Sequence, residues 1–169
     1  MAYTIGALPG YTNAIGHLVS MLTYVRDTTI AAVNGLSAAD LDYVLDDDAN
    51  SIGALLMHIA GVESAYQVTS FGLHHDLAPW QTALDRGPRA RREIRGHDLQ
   101  HYVDTLTRVR GITLAELGKR DDSWLLREAD TVRGQPANHY WYWFHVFEDE
   151  LNHRGQIRLI VKRLPRRKA

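Results

Sequence analysis

The sequence predicts an all-α fold, a four-helix bundle with a long connection between its second and third helices. Apolar residues recur every three to four positions in four long segments, which is the spacing of a helix that buries one face. Glycine, proline and capping residues stand at the ends of these segments. The sequence shows no internal repeat and no low-complexity tract, so the four helices are expected to form one bundle.

The composition is that of one soluble domain spanning residues 1–169. With 45% hydrophobic and 23% charged residues, a chain of this length can bury a full core. It has no cysteine, which excludes disulfides and thiolate metal ligands and favours a reducing cytoplasm. A net charge of -1 argues against a nucleic-acid partner, and no apolar stretch reaches the roughly 18 residues that span a membrane. We therefore expect a cytoplasmic protein that binds neither nucleic acid nor membrane.

The first helix is expected at about residues 11–34. Its apolar stripe consists of Ile15, Leu18, Leu22, Val25, Thr29 and Val33. Gly35 follows the stripe and can adopt the left-handed conformation that ends many helices. Ser37 and Asp40 then predict a short capped turn, because a serine hydroxyl satisfies the free backbone N–H groups at the start of a helix.

The second helix is expected at about residues 51–72, and the long connection follows it. Asn50 or Ser51 would cap the start of this helix, and Gly72 would close its end. The connection from 73 to 96 is rich in charges and in residues that break helices. These breakers include Pro79, Gly87 and Pro88. We expect one helical turn in this connection.

The third and fourth helices complete the predicted bundle. The third is expected at about residues 98–117. Residues 121–136 place apolar pairs between polar positions, which favours a short extended segment. The fourth helix would begin after Pro136 and continue to about Leu164, where Pro165 ends it.

The fourth helix carries a carboxylate and an imidazole four residues apart. This spacing places Asp149 and His153 on one face of the helix, one turn from each other. His58 lies in the apolar second helix. If the two helices pack face to face, these three residues, the triad, form a nitrogen and oxygen ligand set suited to a divalent ion. Three ligands would leave an open position on zinc for water or a thiol, whose pKa would fall on binding.

Three neighbours of the triad are further candidates. His145 lies one turn before Asp149, but about 12 Å along the helix from His153, so the two histidines are not expected to share one ion. It is interpreted as a partner of the ligands, a pocket residue or a core histidine. Glu150 points about 100° away from Asp149 and could support the ligands or act as a general base. Trp143 could line the pocket, or it could lie in the core or in a subunit contact.

Two segments, residues 51–60 and 145–157, resemble the signatures of the DinB/YfiT-like superfamily of metal-binding four-helix bundles. They read SIGALLMHIA and HVFEDELNHRGQI. In that family, one histidine of the second helix and two residues four apart on the last long helix bind a divalent metal, often zinc or nickel. The resemblance assigns these roles to His58, Asp149 and His153. Asp149 stands at a position where many relatives have histidine.

The resemblance also implies a function. Several branches of the family use low-molecular-weight thiols as cosubstrates in S-transfer or isomerisation, and relatives often form dimers. We therefore expect a homodimer that binds one divalent metal ion, zinc or nickel, and acts as a metal-dependent, thiol-dependent transferase on a small molecule. Two alternatives remain open: a non-catalytic metal-binding or stress-associated protein, and a metal-dependent hydrolase.

Overall fold

The computed structural model describes residues 4–165 and shows the predicted all-α bundle of four long helices. The long helices are α1 (Asn13–Val33), α3 (Ile52–Phe71), α6 (Leu99–Leu117) and α8 (His139–Arg163). The connections contain α2 (Ala38–Leu41), α4 (Gln81–Asp85), α5 (Gly87–Glu93) and α7 (Asp122–Leu126). Helix α8 packs against α1 and α3, and α3 packs against α6. The two helices that carry the triad are therefore neighbours.

The helix ends follow the capping residues of the sequence. The side chain of Ser51 accepts a hydrogen bond from the N–H of Ala54 at 3.2 Å, and Gly72 ends α3 with a φ of 72°. The side chain of Asn138 accepts from the N–H of Trp141 at 2.9 Å and starts α8. Such caps satisfy N–H groups that have no partner within the helix. The predicted bounds of the four long helices lie within a few residues of those observed.

The connection between α3 and α6 contains more helix than the single predicted turn. A 3₁₀ helix, Ala78–Trp80, precedes α4 and α5. Pro79 and Pro88 stand in the first turns of the 3₁₀ helix and of α5, where the missing N–H is not needed. Trp80 and Ala83 are buried. The prolines therefore start short helices in this connection instead of excluding them.

The predicted extended segment at 121–136 is partly helical. Its first part forms α7, and its second part begins an antiparallel hairpin of β1 (Glu128–Val132) and β2 (Gln135–Asn138). Arg133 and Gly134 form the turn with φ values of 51° and 75°. Two consecutive positive φ values suit the right-handed twist of a two-residue hairpin. Strand β1 contacts α3, so the hairpin lies beside the helix that carries His58.

Four buried charged side chains, one from each long helix, join the bundle at its middle; we call them the charged core layer. They are Arg26, Glu63, Arg110 and Glu150. Arg26 donates hydrogen bonds to Glu63 at 2.9 Å and to Glu150 at 3.0 Å. Arg110 donates to Glu63 at 2.7 Å and to Glu150 at 3.3 Å. Since each carboxylate faces two guanidinium groups, the cost of burying these charges is offset by complete pairing.

Two apolar clusters lie on either side of the charged core layer along the helices. One cluster contains Leu55, Leu106 and Ile157, and the other contains Leu18, Leu117 and Trp143. The six residues of the predicted stripe on α1 are all buried. Within residues 4–165, no helix combines the length and the apolar character needed to cross a bilayer.

Candidate metal centre

His58 lies on the buried face of α3 and is 5% exposed. Its Nδ1 atom lies 2.9 Å from the carbonyl oxygen of Ala83 in α4. Because a carbonyl only accepts, Nδ1 carries the hydrogen, and Nε2 of the neutral ring keeps a lone pair for a metal. Burial lowers the pKa of His58, so the ring is neutral near pH 7.

Asp149 and His153 face His58 from α8. Nε2 of His58 lies 3.7 Å from Oδ2 of Asp149, and Nε2 of His153 lies 3.3 Å from Oδ1 of Asp149. The two imidazole rings are nearly perpendicular, at 85°. Ligand atoms from all three residues lie within 4.8 Å of one another. Two ligands at about 2.1 Å from a tetrahedral ion are about 3.4 Å apart, so the triad converges at separations close to those of a metal site.

Two atoms of the triad have no hydrogen-bond partner in the part of the chain that the structure describes. They are Oδ2 of Asp149 and Nε2 of His153, and both are buried. A buried polar atom without a partner costs free energy, and a divalent cation would satisfy both atoms at once. Nδ1 of His153 lies 3.4 Å from Oε1 of Gln156, which fixes the proton on Nδ1 and leaves Nε2 as the ligand atom. The residues present therefore fit a metal ion.

The charge of Asp149 results from opposing effects. Burial by itself raises the pKa of this carboxyl, but the imidazoles of His153 and His58 outweigh burial and hold the pKa below its usual range. Asp149 is therefore a carboxylate near pH 7. With one negative charge in the triad, a dication held there would keep a net positive charge.

A cavity of about 500 Å³ has His58 and Asp149 in its wall. Its other walls come from α3, the junction of α4 with α5, the hairpin and the first turns of α8. Its lining includes Val62, Tyr66, Arg86, Thr131, Tyr142 and His145. Cavities of this size accommodate small molecules.

His145 and Trp143, two of the three further candidates, lie in different parts of the structure. His145 lies in the cavity wall, where its Nδ1 bonds Oε2 of Glu148 at 2.9 Å and its ring stacks on Trp141. Trp143 is fully buried, and its Nε1 donates a hydrogen bond to Ser70 at 2.9 Å. Of the alternatives for these two residues, the structure places His145 in the pocket and Trp143 in the core.

Glu150 lies in the charged core layer instead of the pocket. Its carboxylate accepts hydrogen bonds from Arg26 at 3.0 Å and from Arg110 at 3.3 Å. One residue along a helix turns the side chain by about 100°, which takes Glu150 away from the face of Asp149. Both of its oxygens accept hydrogen bonds from guanidinium groups. The carboxylate therefore does not face the triad, and it does not take the expected role of a supporting group or general base.

The sequence interpretation missed Tyr66 and Arg86. Tyr66 lies two turns after His58 on α3, so helical spacing alone could have placed it on the same face. Burial, with Tyr142 and Asp149 nearby, raises the pKa of Tyr66 to about 12, so its hydroxyl stays protonated. Arg86 comes from the junction of two short helices, where the sequence has no periodic pattern that could have identified it.

Two solved structures share the fold. A DinB-like protein from Bacillus cereus ATCC 10987 superimposes with a TM-score of 0.68 at 16% identity, covering 87% of this chain and 90% of that chain. A conserved protein from Enterococcus faecalis gives a TM-score of 0.64 at 15% identity, covering 86% and 95% of the two chains. Among curated proteins, no sequence matches significantly. The fold is therefore that of the DinB-like proteins, as the signatures predicted.

The sequence also matches a family. Residues 17–164, which include the whole triad, match the family described as mycothiol-S-transferase. The match covers most of the chain, and the chain therefore belongs to the mycothiol-S-transferase family. The predicted relation to the DinB-like superfamily is confirmed by this family and by the two structures.

Proposed function

We propose that this protein is a metal-dependent enzyme that transfers a small thiol to a small electrophilic substrate. The observation that carries the proposal is the convergence of His58, Asp149 and His153, with two buried ligand atoms that lack hydrogen-bond partners in residues 4–165. The set of nitrogen and oxygen ligands suits zinc or nickel. The cavity beside the triad supports a small-molecule substrate.

In the proposed reaction, a thiol RSH and an electrophile R′X give the thioether RSR′ and HX. The S–C bond forms as the C–X bond breaks, the electron pair leaves with X, and the thiol loses its proton. No group is oxidised or reduced by an outside agent. When bound, the ion would lower the pKa of a thiol at its open position from about 8.5, which makes the thiolate available near pH 7.

The residues around the cavity have separate roles. His58, Asp149 and His153 would hold the ion. His145 can accept the thiol proton at Nε2, because its Nδ1 donates to the carboxylate of Glu148. Tyr66 keeps its proton near pH 7 and can donate a hydrogen bond in the cavity. Apolar lining residues reduce the access of water, which would compete with the thiol. They are Val62, Leu84 and Val132.

The name of the family supports mycothiol as the thiol. A cytoplasmic location fits this cosubstrate, because low-molecular-weight thiols stay reduced there. We also propose that the protein acts as a homodimer. Support for this comes from exposed aromatic side chains on α8, Tyr140 and Phe144, which are 37% and 43% exposed.

Cobalt substitution tests the proposal. Cobalt-loaded protein would be titrated with small thiols, mycothiol among them, and thiolate binding would add a strong charge-transfer absorption band. The variant Asp149→Ala should show no band, and His97→Ala, which changes a histidine outside the triad, should behave as wild type. Formation of the thioether would then be followed by mass spectrometry. If fully loaded protein shows no spectral change with any thiol, thiol transfer is wrong, and a metal-dependent hydrolase or a non-catalytic metal-binding protein takes its place.

A further inference from the structure

Arg86 contributes a permanent positive charge to the wall of the cavity beside the triad. The carboxylates in the described wall are Asp130 and Asp149. Because Asp149 belongs to the triad, Arg86 and Asp130 set the charge that a substrate meets elsewhere in the cavity.

The guanidinium of Arg86 forms no hydrogen bond or ion pair with any residue between 4 and 165. Other arginines of the same connection are engaged. Arg89 pairs with Glu93 at 2.9 Å, and Arg91 donates to two backbone carbonyl oxygens. The side chain of Arg86 is exposed, so its five donors are solvated at the cavity wall and have no partner in the described part of the chain.

The backbone of Arg86 has φ 58° and ψ -158°, a region used almost only by glycine. Hydrogen bonds on both sides hold this conformation. The N–H of Arg86 donates to the carbonyl of Thr82 at 3.3 Å, and the N–H of Gly87 donates to the side chain of Asn50 at 2.8 Å. Glycine would fit this backbone with less strain, so packing and stability do not account for an arginine here.

We propose that Arg86 binds a carboxylate of the electrophilic substrate, so that the enzyme selects anionic electrophiles. The substrate role rests on the proposed function, whereas the carboxylate site can be tested without it. A guanidinium matches a carboxylate with two parallel hydrogen bonds, which gives both charge and geometric selectivity. Asp130, on the hairpin side of the cavity wall, carries a negative charge that opposes the binding of anions away from Arg86.

The test is the binding of benzoate and of benzamide, which have the same ring and differ in charge. Binding to metal-free protein in chelator would be measured by NMR titration. Wild type should bind benzoate at least about 10-fold more tightly than benzamide. Arg86→Ala should remove this preference, Arg86→Lys should keep part of it, and Asp130→Asn should increase it.

A second variant separates binding from folding. Arg86→Gly should lose benzoate affinity as Arg86→Ala does. It should also melt at a higher temperature than wild type, because glycine adopts the backbone conformation of position 86 with less strain. The matched control is Arg133→Ala, which removes an exposed arginine that also has a positive φ, 51°, but lies in the hairpin turn. This control should keep the wild-type preference for benzoate.

Three results would overturn the proposal. One is equal benzoate affinity in wild type and Arg86→Ala. Another is a wild-type protein that binds benzoate no better than benzamide. The third is benzoate binding that requires the metal and survives loss of Arg86, since the ion would then be the anion receptor. The main titration uses metal-free protein. The benzoate result therefore does not depend on whether the cobalt experiment supports thiol transfer.

Discussion

Nε2 of His153 lies 3.3 Å from Oδ1 of Asp149, one helical turn earlier on α8. The helix itself therefore holds two of the three ligands close together. His58 is brought to them by the packing of α3 against α8 and is oriented by Ala83. The geometry of the triad thus depends on one helix–helix contact and on one hydrogen bond from the connection.

Replacing His153 with alanine should weaken metal binding by more than about 100-fold and leave the bundle folded. It removes a ligand, whereas loss of an outer hydrogen bond alone typically costs 10- to 100-fold. Metal content after dialysis gives the affinity change. Thermal melts with and without chelator give the effect on the fold, and wild type should melt lower in chelator because the ion binds only the native state.

The control for this prediction is His97→Ala. His97 is exposed and stacks on His101, outside the triad. A His153→Ala protein that keeps stoichiometric metal would show that the triad is not the site. Wild type that unfolds completely in chelator would show that the metal is structural, which favours the non-catalytic alternative.

Replacing Gln156 with alanine should lower metal affinity by about 10-fold without a change in stability. Its Oε1 lies 3.4 Å from Nδ1 of His153 and fixes the ring nitrogen that faces the metal. Isothermal titration with zinc measures the change. Asn152→Ala, an exposed substitution on the same helix, is the control. Equal affinities in the two variants would show that Gln156 does not orient the ligand.

The charged core layer should make the free energy of unfolding fall at acidic pH. Burial by itself raises the pKa of Glu63, but Arg110 and Arg26 lower it from 4.5 to about 2. Because the folded pKa lies below the unfolded one, this carboxylate stabilises the fold fully above pH 4.5. The stabilisation, about 3 kcal/mol, is lost as the pH falls from 4.5 towards 2. Urea unfolding at pH 7, 4.5 and 3 measures this loss.

Glu63→Gln tests the origin of the acid dependence. The variant should be less stable at pH 7 by about 3–5 kcal/mol, because two buried guanidinium groups lose a charged partner. Its stability should also fall less steeply than that of wild type below pH 4.5. Glu128→Gln, at an exposed glutamate of the hairpin, should keep the wild-type profile. Parallel profiles for wild type and Glu63→Gln would contradict the assignment of the effect to Glu63.

The proposed homodimer should dissociate when a charge is placed on the exposed aromatic part of α8. Phe144 is 43% exposed and lines an apolar groove with Met21 and Phe147. Phe144→Glu should therefore shift the protein to monomer in sedimentation equilibrium. Leu159→Glu changes a residue that is 49% exposed near the other end of α8 and should remain dimeric. If wild type is monomeric in the same measurement, the homodimer proposal is wrong.

The long helices and the triad were accessible to sequence reasoning because their signals are local or periodic. Ser51 and Gly72 mark the ends of α3, and the spacing of Asp149 and His153 places them on one face whatever the tertiary structure. The pairing of His58 with this face needed more than periodicity. It came from the resemblance to a family in which the second and last helices share a metal.

What sequence reasoning missed depends on contacts between distant residues. The sequence favours Glu150 as a supporting group or general base, because its partner Arg26 lies 124 positions earlier and no local pattern indicates such a pairing. The short helices of the connection are fewer than two turns each, too short for an apolar period. Ala83 and Arg86 reach the site through these short helices, so their roles required the fold.

The charged core layer fixes where α8 can lie along the bundle. A slip of α8 by one turn, about 5.4 Å, would carry Glu150 away from both Arg26 and Arg110 and leave buried charges without partners. Asp149 and His153 are on the same helix, so the same constraint sets their position along the bundle axis relative to His58. A change in the hairpin should therefore leave the positions of Asp149 and His153 relative to His58 unchanged, because the buried charges set them.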